Sequence, residues 1–219
     1  MSDSHMPKDP INTGIEKGIE EAAKMAKDYL DKLITPALEE GGGIIGDTVA
    51  YWRFKNKVNL VLKAKAFLES KGIQPKQLLP KVVAPLLEAG SLEEDEDMKS
   101  RWAALLASAA TDPISVPPFY PKILSELSSS EARILEWMAE RTEQQIGWVL
   151  SGQEIRTKFL IMPPQYEVLM GNLVRLNLCS PLLGSGTMGK DYVGAEDWPP
   201  YQQVQFTRLG YSFVKACQA

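Results

Sequence analysis

Five consecutive acidic residues, from Glu93 to Asp97, form the densest group in the chain that could hold a cation or transfer protons. Their spacing matches no calcium-binding loop. Metal-dependent nucleases gather carboxylates and a lysine from several elements, whereas these five lie on one segment. We interpret them as the beginning of a helix, where the positive end of the helix dipole favours anions. The sequence therefore predicts no catalytic residue, no metal site and no cofactor.

Histidine and cysteine, the other usual residues of catalysis, are scarce. The single histidine, His5, lies in the opening MSDSHM, which looks like a leader added for expression, so histidine-dependent chemistry and most zinc sites lack their usual residue. Cys179 and Cys217 are far apart in the sequence, and no secretory signal is recognisable. We expect reduced thiols in a cytoplasmic protein rather than a disulfide bridge.

A basic segment directly precedes the acidic run. Residues 51–81 contain eight Lys or Arg and one Glu, a local charge of +7, whereas residues 91–97 contribute −5. Two interpretations stay open, namely neighbouring helices of opposite charge, or a patch that binds nucleic acid or anionic lipid. The candidate binding residues for nucleic acid or a partner are Arg53, Lys55, Lys57 and Lys63, together with Arg175 in the second half of the chain.

The overall composition is that of a globular protein. The 219 residues suffice for one large or two modest domains, with 44% apolar and 24% charged residues. The net charge of −4 gives no general sign of nucleic-acid binding. No run of 18 apolar residues predicts a transmembrane helix.

The patterns along the chain predict a mainly α protein in two domains. Residues 111–121, TDPISVPPFYP, contain four prolines in eleven residues and are the best linker candidate. The predicted regions are a disordered leader of artificial origin (1–13), an N-terminal helical domain (14–111), a proline-rich linker (112–121) and a winged-helix-like domain with a small β-hairpin (122–219).

Helical spacing of apolar residues predicts helices from about residue 13 or 14 to 34 and from 46 to 70 in the first domain. The face of residues 14–34 is expected to pack on a core or partner helix. Contact with a membrane surface is the alternative, which needs a strongly basic polar face that the mixed charges here do not provide. Pro80 and Pro85 are expected to break or kink the next segment.

The residues around the acidic run predict where one helix ends and the next helix begins. Gly90 is expected to end a helix, because glycine tolerates the left-handed conformation beyond a C-cap. Ser91 and Glu94 are expected to form a capping box that begins the next helix. That helix should bury one apolar stripe, formed by Met98, Trp102, Leu105, Leu106 and Ala109.

Three helices, a hairpin and a last helix are predicted after the linker, which is the order of a winged-helix domain. Pro121 to Ala219 carry nine Lys or Arg and ten Asp or Glu, a net charge of −1, and Arg175 is the basic residue of the candidate recognition helix. A DNA reader normally shows a basic face. We therefore predict protein docking ahead of DNA binding.

Three stretches of the sequence resemble the abortive infection alpha family of bacterial proteins. They are GDTVAYWRFKN near residue 46, KGIQPKQLLPKVVAPLLEAGSLEEDEDMKSRWAALLASAA from residue 71, and the following FYPKILSELSSSEARILEWM. The resemblance covers roughly residues 40–217 and implies a role in defence against bacteriophage, without catalytic residues to transfer. Arg53, Glu88 and Arg101 lie in the matching motifs and are predicted to form a buried structural charged cluster.

Two functions stay open at this point. The first is a non-enzymatic interaction protein that binds a protein partner, or itself, and changes state during phage infection. The second is a nucleic-acid-binding regulator or effector that uses the winged helix or the basic segment 51–81.

Overall fold

The computed structural model describes residues 10–33, 48–142, 149–182 and 201–218, which are mainly α-helical with a small antiparallel sheet. The chain divides into two compact units between Lys122 and Ile123. The elements in chain order are α1 (Pro10–Leu33), α2 (Thr48–Ser70), α3 (Pro80–Gly90), α4 (Glu96–Thr111), α5 (Tyr120–Ser125), α6 (Ser129–Thr142), β1 (Val149–Ser151), α7 (Gly152–Phe159), α8 (Pro163–Arg175), β2 (Cys179–Pro181), β3 (Gln203–Phe206) and α9 (Arg208–Ala216).

Helix α2 is the central element of the first unit, because it packs against α1, α3 and α4. The burial predicted for the five apolar residues of α4 is confirmed, but it is not limited to one stripe, because residues 101–107 are all buried. The five are Met98, Trp102, Leu105, Leu106 and Ala109. Burying a large apolar side chain of this kind stabilises the fold by about 1.5–3 kcal/mol, so α4 contributes much of the core.

Helix α3 ends at Gly90, as predicted, but for a different reason. The glycine with a positive φ among the described residues is Gly72, at 64°, just beyond α2. A Cβ atom on Gly90 would lie 2.6 Å from Cδ1 of Leu60 and 3.3 Å from the ring of Trp102. Gly90 is therefore required for the close approach of α2 and α4 to α3, not for a left-handed turn.

The predicted capping box of Ser91 and Glu94 is wrong. Helix α4 begins at Glu96, and its N-cap is Asp95, whose carboxylate accepts a hydrogen bond from the N–H of Met98 at 2.9 Å. Ser91 instead caps the end of α3 and is fully buried. The acidic run thus begins with a turn, and the helix begins three residues later than Glu93.

The two prolines of α3 do not divide it. Pro80 occupies the beginning of the helix, where a missing N–H costs no bond, and Pro85 lies inside a continuous helix. The predicted break is therefore wrong. The neighbouring helices agree with their predictions, although α1 begins at Pro10, within the predicted leader. Residues 1–9 lie outside the described part of the chain.

The second unit combines four helices with a three-stranded sheet in the order β1–β3–β2, and both neighbouring pairs are antiparallel. Leu150 lies opposite Val204, and both are buried. The predicted hairpin, formed by β2 and β3, is therefore part of a larger sheet. The third strand of that sheet, β1, was not predicted. The tip between β2 and β3, residues 183–200, lies outside the described residues.

Two smaller predictions can be compared directly. Cys179 and Cys217 are both buried and form no disulfide bond, which agrees with the prediction of reduced thiols. No helix within the described ranges combines the length and the apolar character that crossing a membrane requires.

The close approach at Gly90 predicts the effect of a small substitution. Gly90→Ala should lower the free energy of unfolding by about 1–3 kcal/mol, because the new methyl group overpacks the contact with Leu60 and Trp102. Gly18→Ala is the matched control, since a Cβ there meets nothing within 4 Å. It should stabilise α1 by up to about 1 kcal/mol. Urea unfolding measures both, and equal effects would contradict this interpretation.

Candidate functional site

The candidate basic residues on α2 differ in their surroundings. Nζ of Lys63 lies 3.0 Å from Oε2 of Glu96, and Nζ of Lys57 lies 3.9 Å from Oε1 of Glu88. Lys55 is exposed and forms no ion pair with an acid in the described part of the chain. Two of the candidate lysines therefore have acidic partners on other elements, whereas one stands open to solvent.

Arg53 is engaged through Ser91, a residue whose role the sequence did not reveal. Nε of Arg53 donates to Oγ of Ser91 at 3.5 Å, and Nδ2 of Asn56 donates to the Ser91 carbonyl at 3.0 Å. The Ser91 hydroxyl donates to the carbonyl of Glu88 at 2.7 Å. Ser91 thus joins the end of α3 to two polar side chains of α2.

The predicted charged cluster is only partly buried. Arg101 is buried in α4, but the side chain of Glu88 is 67% exposed. The burial predicted for Glu88 is therefore wrong, because its carboxylate points towards solvent and Lys57. The grouping of Arg53, Glu88 and Arg101 as one structural cluster stays a prediction.

The acidic run has local partners. Oε1 of Glu93 accepts hydrogen bonds from the N–H groups of Glu94 and Asp95, at 2.9 and 3.0 Å. Asp95 is the N-cap of α4, and Glu96 pairs with two lysines. Among the described residues, no group of three or more His, Cys, Asp or Glu side chains could hold a metal ion. The carboxylates described here therefore act in capping and ion pairing.

A groove of about 350 Å³ lies between α2 and the beginning of α4. Glu96 bridges its two lysines, with Oε2 at 3.0 Å from Nζ of Lys63 and Oε1 at 2.8 Å from Nζ of Lys99. The hydrogen bonds from Lys99 and Lys63 lower the pKa of Glu96 below its ordinary value. The residues that line this groove are Asn56, Asn59, Leu60, Leu62, Lys63, Ala66, Gly90, Glu96 and Lys99.

Arg175, the candidate binding residue of the second unit, is held by its neighbours. Its guanidinium donates to the carboxylate of Glu126 and to Oδ1 of Asn172. Nδ2 of Asn172 donates to the carbonyl of Glu126 at 2.9 Å and to Oε1 of buried Glu131 at 2.8 Å. Helix α8 is therefore fixed to the beginning of α6, where Ser128 and Glu131 cap the helix through reciprocal hydrogen bonds.

Three exposed apolar side chains, those of Leu160, Met162 and Val168, lie between the end of α7 and the middle of α8, and we call them the exposed apolar surface. These side chains are 88%, 65% and 74% exposed. Leu160 adopts a left-handed conformation, with φ 54° and ψ 43°, at the C-cap of α7. The sequence did not reveal this surface, although Leu160-Ile161-Met162-Pro163-Pro164 is a run of apolar residues where a turn is expected to be polar.

These features describe a mainly helical, two-unit protein with bridged charges in the first unit and an exposed apolar surface in the second. The model of the abortive infection alpha family matches residues 53–217, which is most of the chain and includes parts of both units. The chain belongs to this family, and membership suggests abortive-infection phage defence. No curated protein and no solved structure matched the chain.

The bridging position of Glu96 predicts its titration. Because two lysines stabilise the carboxylate, its NMR titration midpoint should lie below the ordinary value of 4.5. Lys63→Gln and Lys99→Gln should each raise that midpoint, and Lys55→Gln should not. Above the ordinary pKa of a glutamate, the two ion pairs should contribute their full stabilisation of the folded state. This stabilisation should be lost as the pH falls through the lowered pKa of Glu96. A midpoint unaffected by Lys63 and Lys99 would contradict the bridge.

Proposed function

We propose that this chain is a non-enzymatic phage-defence protein that acts by binding a protein partner, or a second copy of itself, through its second unit. Membership of the abortive infection alpha family supports the setting. The mode of action is our proposal, and the exposed apolar surface of Leu160, Met162 and Val168 is the observation that carries it.

The second unit is proposed to be a winged helix. In support, its elements follow the order α6, β1, α7, α8, β2, β3, and its sheet has the order β1–β3–β2. Helix α8 would then be the recognition helix, which in DNA-binding relatives lies in the major groove. Architecture alone does not decide the ligand, so the side chains on α8 have to be considered.

The side chains on and before α8 favour a protein partner. Arg175 is engaged by Glu126 and Asn172, so its charge is partly neutralised. Val168 is exposed on α8, and Leu160 and Met162 are exposed just before it. Exposed apolar side chains grouped in this way are typical of protein interfaces, whereas phosphate contacts require free basic residues.

The remaining parts of the proposal rest on separate observations. The carboxylates of Glu93, Asp95 and Glu96 in the acidic run are engaged in capping and ion pairs, which supports a structural role for the run rather than catalysis. The two buried cysteines form no disulfide bond, which supports a cytoplasmic location, because that compartment keeps thiols reduced.

A phage-challenge experiment tests the proposal. Cells that express the wild-type chain should reduce plaque formation, and the Leu160→Asp and Val168→Asp variants should lose this protection while remaining folded and abundant. Ile114→Asp is the matched control, because Ile114 is 92% exposed but lies in the first unit. It should protect as the wild type does.

Crosslinking in the same cells identifies the physical step. The wild type and Ile114→Asp should each yield one specific crosslinked protein, or a crosslinked dimer, that Leu160→Asp does not yield. Loss of protection with an unchanged crosslinking pattern would overturn the proposal. So would a wild-type chain that protects cells while remaining an uncrosslinked monomer.

The alternative is a nucleic-acid-binding regulator or effector. It is favoured by Lys55, Lys71, Lys76 and Lys81, which are exposed and form no ion pair with any acid that the structure describes. In that case a gel shift at low salt should detect DNA or RNA binding. Lys55→Gln together with Lys81→Gln should weaken binding and reduce its salt dependence. Binding that is unchanged in this double variant would remove the basic segment as its source.

A further inference from the structure

The residues that line the groove between α2 and α4 are of the kinds found in small-ligand sites. Leu60, Leu62 and Ala66 form an apolar side, while Lys63 and Lys99 supply two ammonium groups. Its volume of about 350 Å³ lies within the range of small-molecule sites, which are mostly apolar with a few convergent polar groups. Such a groove can hold a ligand that has an apolar part and an anionic part.

Glu96 occupies the place that an anionic ligand group would take. Its two carboxylate oxygens contact one lysine each, at 3.0 and 2.8 Å. The side chain of Glu96 is 72% exposed, whereas those of Lys63 and Lys99 are 39% and 26% exposed. The ammonium groups are therefore carried by the less exposed side chains, and the carboxylate covers them from the solvent side.

We propose that the groove binds a small phosphorylated ligand, whose phosphate displaces the Glu96 carboxylate from Lys63 and Lys99. Glu96 acts as an internal competitor that holds the two lysines in place until the ligand arrives. This inference concerns the first unit and does not rest on the protein-binding function proposed for the second.

The energies of the two states favour exchange. An exposed ion pair contributes little to stability because solvent screens it, so moving Glu96 into solvent costs little. A phosphate brings up to two negative charges and several acceptor oxygens, and charge-assisted hydrogen bonds to ammonium groups are about twice as strong as neutral ones. The same two lysines therefore bind a phosphate more strongly than they bind one carboxylate.

Two features favour a small ligand over a nucleic-acid strand. The lysines of the groove converge on one point, at Glu96, whereas a strand needs phosphate contacts spaced along its backbone. Asn59 is exposed at the groove and has no hydrogen bond to a described residue, so its amide is open to the rest of the ligand. Asn56 is already engaged with the Ser91 carbonyl and keeps the wall in place.

Calorimetric titration of the full chain with inorganic pyrophosphate and with ADP tests the proposal. The Glu96→Gln variant should bind both about tenfold more tightly than the wild type, because the competing carboxylate is removed, and tenfold corresponds to 1.4 kcal/mol. Lys63→Gln and Lys99→Gln should each weaken binding by about tenfold. Lys65→Gln is the matched control, because Lys65 is on the same helix, pairs with Glu69 and lies outside the groove, and this variant should bind as the wild type does.

The same titrations contain the results that would overturn the proposal. One is a Glu96→Gln variant that binds pyrophosphate and ADP no more tightly than the wild type, or an equal loss of affinity in Lys65→Gln. Another is a single-stranded oligonucleotide that binds through Lys63 and Lys99 when pyrophosphate and ADP do not. Thermal unfolding of every variant separates lost binding from lost folding, and failure here leaves the phage-protection results unaffected.

Discussion

Helices α2, α3 and α4 meet at Gly90 and Ser91, and the packing at this point decides where the charges of the first unit lie. Gly90 leaves room for Leu60 and Trp102 to approach the α3 backbone. Ser91, directly after it, is buried and accepts hydrogen bonds from two side chains of α2. Apolar contact and polar anchoring thus occur at adjacent residues, so the crossing of these helices has little freedom to shift.

The positions of the lysines follow from that crossing. Because α2 is held against the end of α3, Lys63 of α2 comes within reach of Glu96 at the beginning of α4. Lys99 lies one turn further along α4 and reaches the same carboxylate. Within the described residues, the ion pair that joins the basic segment to the acidic run is therefore that of Lys63 with Glu96, and Lys99 of α4 contacts the same carboxylate. Solvent screening makes such a bridge weak, and a weak bridge is easily exchanged.

The periodic features of the fold could be predicted from the sequence, and the features that depend on distant residues could not. The burial of the five predicted apolar residues of α4 and the extent of α2 follow from spacing alone. Ser91 was misassigned because a serine beside a glycine can begin one helix or end another, and only its distant partner Arg53 distinguishes the two. Strand β1 has three residues, which is too short for a period to show. The groove was missed because its residues come from three helices.

The backbone conformation of Leu160 destabilises the fold, and the contacts of its side chain do not offset that effect. A left-handed backbone, which glycine adopts freely, costs about 1–2 kcal/mol for a residue with a side chain. Leu160 bears that cost at the end of α7, yet its side chain is 88% exposed and packs little against the rest of the protein. Selection for thermostability alone would favour glycine here. The isolated chain is consequently less stable than its architecture allows, and Leu160 is one solvent-facing residue at which that stability is lost.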